Sequence, residues 1–485
     1  MNSKKTNGLI LFTFLVQFSL SSQIKPPATP QFLNISNSPF YFNSTLQNSQ
    51  IHNYPLQPSA LGGTNAESLL MEQSQRNAVP QPIIPPSDPY LLHQFVLSEY
   101  NQKNNSNGNS ESTQQQHLLE IMNELHEDEK RYNNNEPVNN SEALLAYEQA
   151  YSQVKNMLTG KSKLSFIDAS YYTEAAYGNS YMNYKEYKTC ITQSAEFIKK
   201  WLKQNSLPNT PQNIHFAIQQ FMGDTMSITV KLADNKQNNQ TTVHYPFKYD
   251  YEDYDGKTDY RNFFSTKCLA TGTGQCNSMP IVYLQLCEAL GVKGYLTFAP
   301  FHSFIKYKNP EGKIINYEPT SHWTIPDKWY QDHLGVNQKA KKNGIYLDTL
   351  NKKQTVANSL VDLAISYMLK TPIPDTAFIL KCLSTAQKYF PKNNNVTIYL
   401  AKSSLLSRQL ETALRKHGIK DLSEVKNYAD TNNLYGRLMK NEASLTALGY
   451  QELPQVLYDE LLQHQKNGTN EPEAKTKKSL FKLTN

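Results

Sequence analysis

Gly272-Thr273-Gly274-Gln275-Cys276, followed closely by Met279-Pro280-Ile281-Val282-Tyr283-Leu284-Gln285-Leu286-Cys287-Glu288-Ala289-Leu290, decides how this chain reads. The second stretch is apolar on nearly every face, as a buried helix is, with Pro280 tolerable only in the first turn and Gly291 as its cap. Cys276 therefore stands at a helix N-terminus. Unpaired backbone N–H groups and the partial positive charge of the helix stabilise a thiolate there. His302 opens a later strand, and Glu318-Pro319-Thr320 ends the strand after it. A nucleophile, a base and an orienting acid thus follow one another along the chain.

The strand pattern relates the last two. Val292 to Ala299 is rich in strand formers and is closed by Pro300. His302-Ser303-Phe304-Ile305-Lys306-Tyr307 reads as a second strand, Asn309-Pro310-Glu311-Gly312 as a turn, and Lys313-Ile314-Ile315-Asn316-Tyr317-Glu318 as the hairpin partner. If Tyr307 pairs with Lys313, the same register sets His302 opposite Glu318, across a five-residue connection or a bulge. A four-residue loop puts them on opposite faces. Directly opposed Cβ atoms lie roughly 5 Å apart, close enough for a carboxylate to hold an imidazole N–H and fix its tautomer. His322, just beyond Glu318, is the rival base, but a strand holds His302 better. His215 falls on a helical stretch, His244 is isolated, and no pair has metal-ligand spacing, so neither a metal nor a cofactor is expected.

These residues resemble the core of the transglutaminase-like superfamily, which runs Cys at a helix start, then His, then an acid on successive strands. The resemblance rests on Gly274-Gln275-Cys276, on Leu290-Gly291-Val292-Lys293-Gly294-Tyr295 leading into a strand, on His302, and on Glu318-Pro319-Thr320 where relatives often show Asp-Pro-Thr. It covers roughly residues 245–348, and the chain also looks like bacterial members that carry tetratricopeptide repeats behind the core. Two positions depart from the pattern. Glu318 replaces the commoner Asp, and no Trp or Tyr follows Cys276. The resemblance implies an α+β fold: a helical lobe at 113–235, a papain-like core with an antiparallel sheet at 236–350, and a tetratricopeptide-like helical region at 351–465. It also implies acyl transfer on a protein or peptide substrate. Cys276 attacks a carboxamide, His302 protonates the departing amine and then activates water or an acceptor amine, and Glu318 orients His302. The oxyanion would meet the backbone N–H of Cys276 and a second donor, for which Gln275 is the candidate. A peptidase or amidase is the favoured form. The alternative is a noncatalytic scaffold that keeps the fold and binds a protein partner through the C-terminal helices.

The chain of 485 residues is only 39% hydrophobic, so part of it builds no core. Residues 1–22 carry Lys4 and Lys5, a short apolar run and a small-residue end, which is the pattern of a secretory signal peptide. The run falls short of the roughly 20 residues that span a bilayer, so export without a stable anchor is expected. Residues 23–112, dense in Pro, Asn, Gln and Ser without periodicity, read as disordered, and so does the tail at 466–485 with Lys475-Thr476-Lys477-Lys478. A net charge of +6 over this length makes no concentrated basic surface, which argues against nucleic acid. Five cysteines in an exported chain leave at least one thiol unpaired, and Cys276 is the natural one. Cys287, three turns along the same helix, cannot bridge to it; Cys268 reads as a core thiol or an oxidative partner, and Cys190 and Cys382 as core.

Helices are expected at Gln114–Glu127, at Glu142–Leu158 through Leu145, Tyr151, Val154 and Leu158, from Tyr184 to Trp201, from Pro211 to Phe221, and at Pro454–Gln465. Leu363-Ala364-Ile365-Ser366-Tyr367 and Leu400-Ala401-Lys402-Ser403-Ser404 recur 37 residues apart, which resembles tetratricopeptide units of about 34 residues. So short an array serves either as a peptide-binding groove or as a cap on the core.

Overall fold

The computed structural model describes residues 140–451, except 180, 232–238, 257, 372, 420 and 421, together with 459, 462, 463 and 466. The expected signal peptide at 1–22, the segment at 23–112 and the helix at 114–127 lie outside the described residues. So do most of the helix expected at 454–465 and nearly all of the tail at 466–485. No helix among the described residues is long and apolar enough to cross a membrane.

Four helices open the described chain. In α1 (Asn140–Leu158) the buried stripe runs through Tyr147, Ala150, Tyr151, Val154, Met157 and Leu158 at helical spacing. Leu145, expected on that stripe, is 59% exposed. Two residues from Tyr147 is more than half a helical turn, which turns Leu145 to the opposite face. α2 (Phe166–Tyr177), which the apolar pattern does not announce, starts at a Ser165 side-chain cap and ends at Gly178 with φ 106°. α3 (Tyr184–Gln204) begins with a capping box between Asn183 and Glu186, and α4 (Pro211–Gly223) begins with Pro after the Thr210 cap, as its sequence predicts.

The strands form three small sheets, which with the helices makes the fold α+β. β1 (Met226–Lys231) and β2 (Asn239–His244) make an antiparallel pair, and β3 (Lys248–Tyr249) runs parallel to β4 (Thr273–Gly274). Between these last two lies α5 (Ser265–Thr271). After β4 comes α6 (Ser278–Leu290), then the antiparallel sheet of β5 (Gly294–Ala299), β6 (His302–Lys308) and β7 (Ile314–Tyr317). The side chains of β6 divide two apolar cores. Ile305 and Tyr307 join α1–α6 in one, while Phe304 faces a second built with Tyr330, Leu334 and Tyr346. α6 is the buried central helix expected, capped by Gly291 with φ 75°.

The β6–β7 register differs by two residues from the one read in the sequence: Tyr307 pairs with Ile315 and Lys308 with Ile314. The turn explains it. Asn309 receives the Lys313 N–H on Oδ1 at 2.8 Å and gives its own N–H to the Lys313 carbonyl at 3.0 Å, so Lys313 belongs to the loop. The connection still has five residues, and a shift of two leaves each side chain on its face.

Beyond the sheet, α7 (Asp327–His333) and α8 (Gln338–Asn343) cover the second core. α9 (Lys352–Lys370) pairs with α10 (Thr376–Gln387), and α11 (Val396–His417) with α12 (Ala429–Leu448). Leu363, Ala364 and Ala401 are buried and Leu400 is half-buried. α9 also packs on α1 and α2, and its Leu360 and Leu363 belong to the same core as Tyr147 and Val282.

Candidate active site

Cys276 sits two residues before the first residue of α6, on a tight bend that the sequence builds with care. A Cβ on Gly274 would lie 2.7 Å from the Cys268 sulfur and 2.8 Å from Ser278 Oγ, so only glycine fits where β4 enters the bend. Ser278 Oγ accepts the Gln275 N–H at 3.0 Å, and Ser303 Oγ donates to the Cys276 carbonyl at 2.6 Å. That second bond ties the bend to β6, beside His302. The Cys276 Sγ lies 3.6 Å from the Phe301 carbonyl.

β5 and β6 are joined by only Pro300 and Phe301, because Ala299 pairs with His302. Phe301 has φ 54°, a left-handed conformation costly for a bulky side chain and normally given to glycine when Pro precedes it in a type II turn. The strain falls on the residue next to His302, and such strain clusters at functional sites.

His302 Nε2 and Glu318 Oε2 are 2.5 Å apart. Continued one step past Tyr317, the observed register sets Glu318 beside Phe304 and places His302 on the diagonal. A diagonal pair is wider than a directly opposed one, and the extra methylene of Glu spans it where Asp would fall short. Every oxygen of Glu318 is occupied. Oε1 accepts the Thr320 N–H at 3.2 Å and its hydroxyl at 2.8 Å; Oε2 accepts the Tyr330 hydroxyl at 3.1 Å as well as His302. Burial disfavours the Glu318 charge, but His302 and Thr320 outweigh it and hold the carboxyl below its ordinary range. Burial likewise opposes the imidazolium, yet the charges of Glu318 and Cys276 and the hydrogen bonds from both lift His302 to about 10. With Nε2 committed to Glu318, Nδ1 is the nitrogen left for the sulfur.

Sequence reasoning missed the residues that fix this pair. Tyr330 on α7 is fully buried, stacks on Phe304 with centroids 4.1 Å apart, and closes over Glu318. Asp327, one turn earlier, takes the buried Lys306 at 2.8 Å and Asn316 at 2.9 Å, which locks α7 to the sheet. An aromatic pair in a short helix after Pro326 was the available signal. Two buried donors flank Cys276 without a hydrogen-bond partner: the Gln275 Nε2 and the Tyr249 hydroxyl. Tyr249 pairs with Gly274 across the β3–β4 ladder; burial, then the Cys276 and Glu318 charges, raise its phenol pKa. Gln275 Oε1 accepts the Asn277 N–H.

The rival histidines stand elsewhere. His322, at φ 61°, packs against Gly223 and burial pulls its imidazole down to about 4. His215 meets the Tyr283 hydroxyl at 2.9 Å and His244 the Phe221 carbonyl at 2.6 Å, and burial pulls both down to about 4. None of the five cysteines is in a disulfide. Cys190 and Cys268 are buried and pushed up to about 12 by that burial, and Cys287 and Cys382 are pushed up in the same way. Cys276 differs from them in lying, with His302, on the wall of a cavity of about 300 Å³. Among the described residues no group of three His, Cys, Asp or Glu side chains is placed to hold a metal ion.

No family model, no curated protein and no solved structure matches this chain.

Proposed function

We propose that the chain is a transglutaminase-like cysteine acyl-transfer enzyme, exported as its N-terminal sequence suggests, and acting as a peptidase or amidase. The observation that carries this reading is the meeting of Cys276 and His302 on one cavity wall with a fully hydrogen-bonded Glu318 behind the imidazole. In the first step the thiolate bonds to the carbonyl carbon of an amide. As the C–N bond breaks, the imidazolium passes its proton to the leaving amine. In the second step neutral His302 takes a proton from water, whose oxygen displaces the thiolate and frees the acid. Glu318 holds the ring so that one nitrogen faces sulfur in both steps.

The oxyanion needs two donors in a water-poor site. The backbone N–H of Cys276 is one. Gln275 Nε2 and the Tyr249 hydroxyl are both candidates for the other, since each is buried without a partner beside the nucleophile.

Alkylation tests the site without a known substrate. Iodoacetamide should label Cys276 first, the other four thiols being packed in the core, and His302→Ala should slow that labelling. Equal rates in native and His302→Ala protein would instead favour the noncatalytic scaffold. For turnover, Cys276→Ala should abolish cleavage of any amide substrate found by screening peptides.

A further inference from the structure

The cavity lined by Cys276 and His302 is also lined by residues of α2, α9 and α11, Asp362 of α9 among them. Asp362 is half-buried on α9, and its hydrogen-bond contacts are the Asn358 amide nitrogen at 3.3 Å and 3.5 Å. Asn358 is itself fixed, because its Oδ1 accepts from Asn395 at 2.9 Å and from Thr397 at 2.9 Å. Among the described residues no cationic side chain pairs with this carboxylate. Neither lysine nor arginine among the described residues lines the cavity, whereas Glu174 and Asp255 add two more acids. Glu174 is already committed, capping α5 through the Ser265 and Thr266 N–H groups at 2.8 Å and 3.0 Å. The remaining wall is largely apolar and aromatic, with Tyr260 and Phe264 ring centroids 5.8 Å apart.

We propose that this extension is the specificity pocket of the same site: it receives an apolar stem ending in an ammonium group, a lysine-like side chain of the acyl donor, with Asp362 as its counter-ion. The inference rests on the acyl-transfer reading. A carboxylate, aromatic faces for the cation and an apolar wall for the methylenes are the chemistry that recognises an alkylammonium. Burial, with Glu174 adding to it, raises the Asp362 carboxyl to about 7, so an arriving cation gains a partner that the empty pocket leaves half-charged. A ligand carboxylate at the same place would meet Asp362 as a second acid rather than a counter-ion.

Methanethiosulfonates that carry an ethyl, an aminoethyl, an aminohexyl or a sulfonatoethyl group test this on the full chain. The Cys276 thiolate attacks the thiosulfonate sulfur, a disulfide forms, and methanesulfinate leaves with the bonding electrons. Mass spectrometry locates the label. At least one ammonium reagent should modify Cys276 about tenfold faster than the ethyl reagent, and the sulfonate should be slowest. In Asp362→Asn, a near-isosteric change, the ratio of ammonium to ethyl rates should collapse to within about twofold. An ammonium advantage that survives in Asp362→Asn, or that is absent from native protein, overturns the pocket assignment. The acyl-transfer reading fails separately: the ethyl rate would then be unchanged by His302→Ala.

Discussion

Shortening Glu318 by one methylene tests both the diagonal geometry and the origin of the charge on His302. Glu318→Asp withdraws the carboxylate by about 1.5 Å, one carbon–carbon bond. The contact at 2.5 Å then opens to about 4 Å. With an effective dielectric constant of about 20 the attraction between the charges falls from about 6–7 to about 4 kcal/mol, and the lost hydrogen bond brings the total to about 2–4 kcal/mol. At 1.36 kcal/mol per pH unit, the imidazole should titrate about two pH units lower than its present value of about 10. The sign for stability follows. A group with a raised folded pKa contributes fully below its ordinary value near 6.5, and the contribution is lost as pH rises through about 10. The native protein should therefore lose stability steadily from about pH 7 to about pH 10, whereas in the variant the loss should level off near pH 8. Histidine ring NMR gives the titration and thermal melts give the stability. Cys276 alkylation near neutral pH should slow by about 10-fold, and by more in Glu318→Gln, where the charge is gone. Should the His302 resonances titrate at the same pH in native and Glu318→Asp protein, the charge does not come from this contact and the diagonal argument fails.

Tyr249→Phe removes a buried hydroxyl with no partner, so the melting temperature should hold or rise; if Tyr249 is the oxyanion donor, turnover should drop by about 100-fold, and Gln275→Leu should supply that phenotype if the donor is the amide. Tyr330→Phe leaves the stacking on Phe304 intact but takes one hydrogen bond from Glu318, for an expected loss of about 1–3 kcal/mol read by denaturation and a slower Cys276 alkylation. Removing residues 351–485 strips α9 from α1 and α2 and exposes shared core, so the truncated chain should aggregate; a soluble form with a cooperative melt would mark the C-terminal helices as a separate module. For Asp362, whose folded pKa is raised to about 7, stability should decline as pH rises from about 4 to about 7, and Asp362→Asn should flatten that decline in thermal melts.

The order Cys276, His302, Glu318 was legible because each residue sits at an element boundary that local chemistry marks: Gly274 before the bend, Pro300 before β6, Pro319 after the strand. Strand parity reduces the question to two answers: His302 and Glu318 share a face across a five-residue connection and lie on opposite faces across a four-residue one. The register itself was not legible. It depends on Asn309 clamping both polar groups of Lys313, a choice between turns that composition leaves open. α2 was missed although Ser165 and Gly178 punctuate it, since Ala, Ser and Tyr around its circumference give no apolar stripe. Tyr330 and Ser303 act through contacts made only when α7 and α6 close on the sheet. No periodicity encodes those.

The two departures from the expected pattern, Glu for Asp and no aromatic after Cys276, gain a common explanation from the structure. With the hairpin moved by two residues, an Asp at position 318 would stop short of an imidazole on the diagonal, and the longer side chain restores the contact. Its length would also leave it loose, a cost met by Thr320 and Tyr330, which fill the other lone pairs and hold one rotamer. Beside Cys276 stands Asn277, whose amide donates to the Phe263 carbonyl at 3.2 Å. An aromatic does lie within electrostatic reach of Cys276: Tyr249 on β3, paired with Gly274 across the ladder.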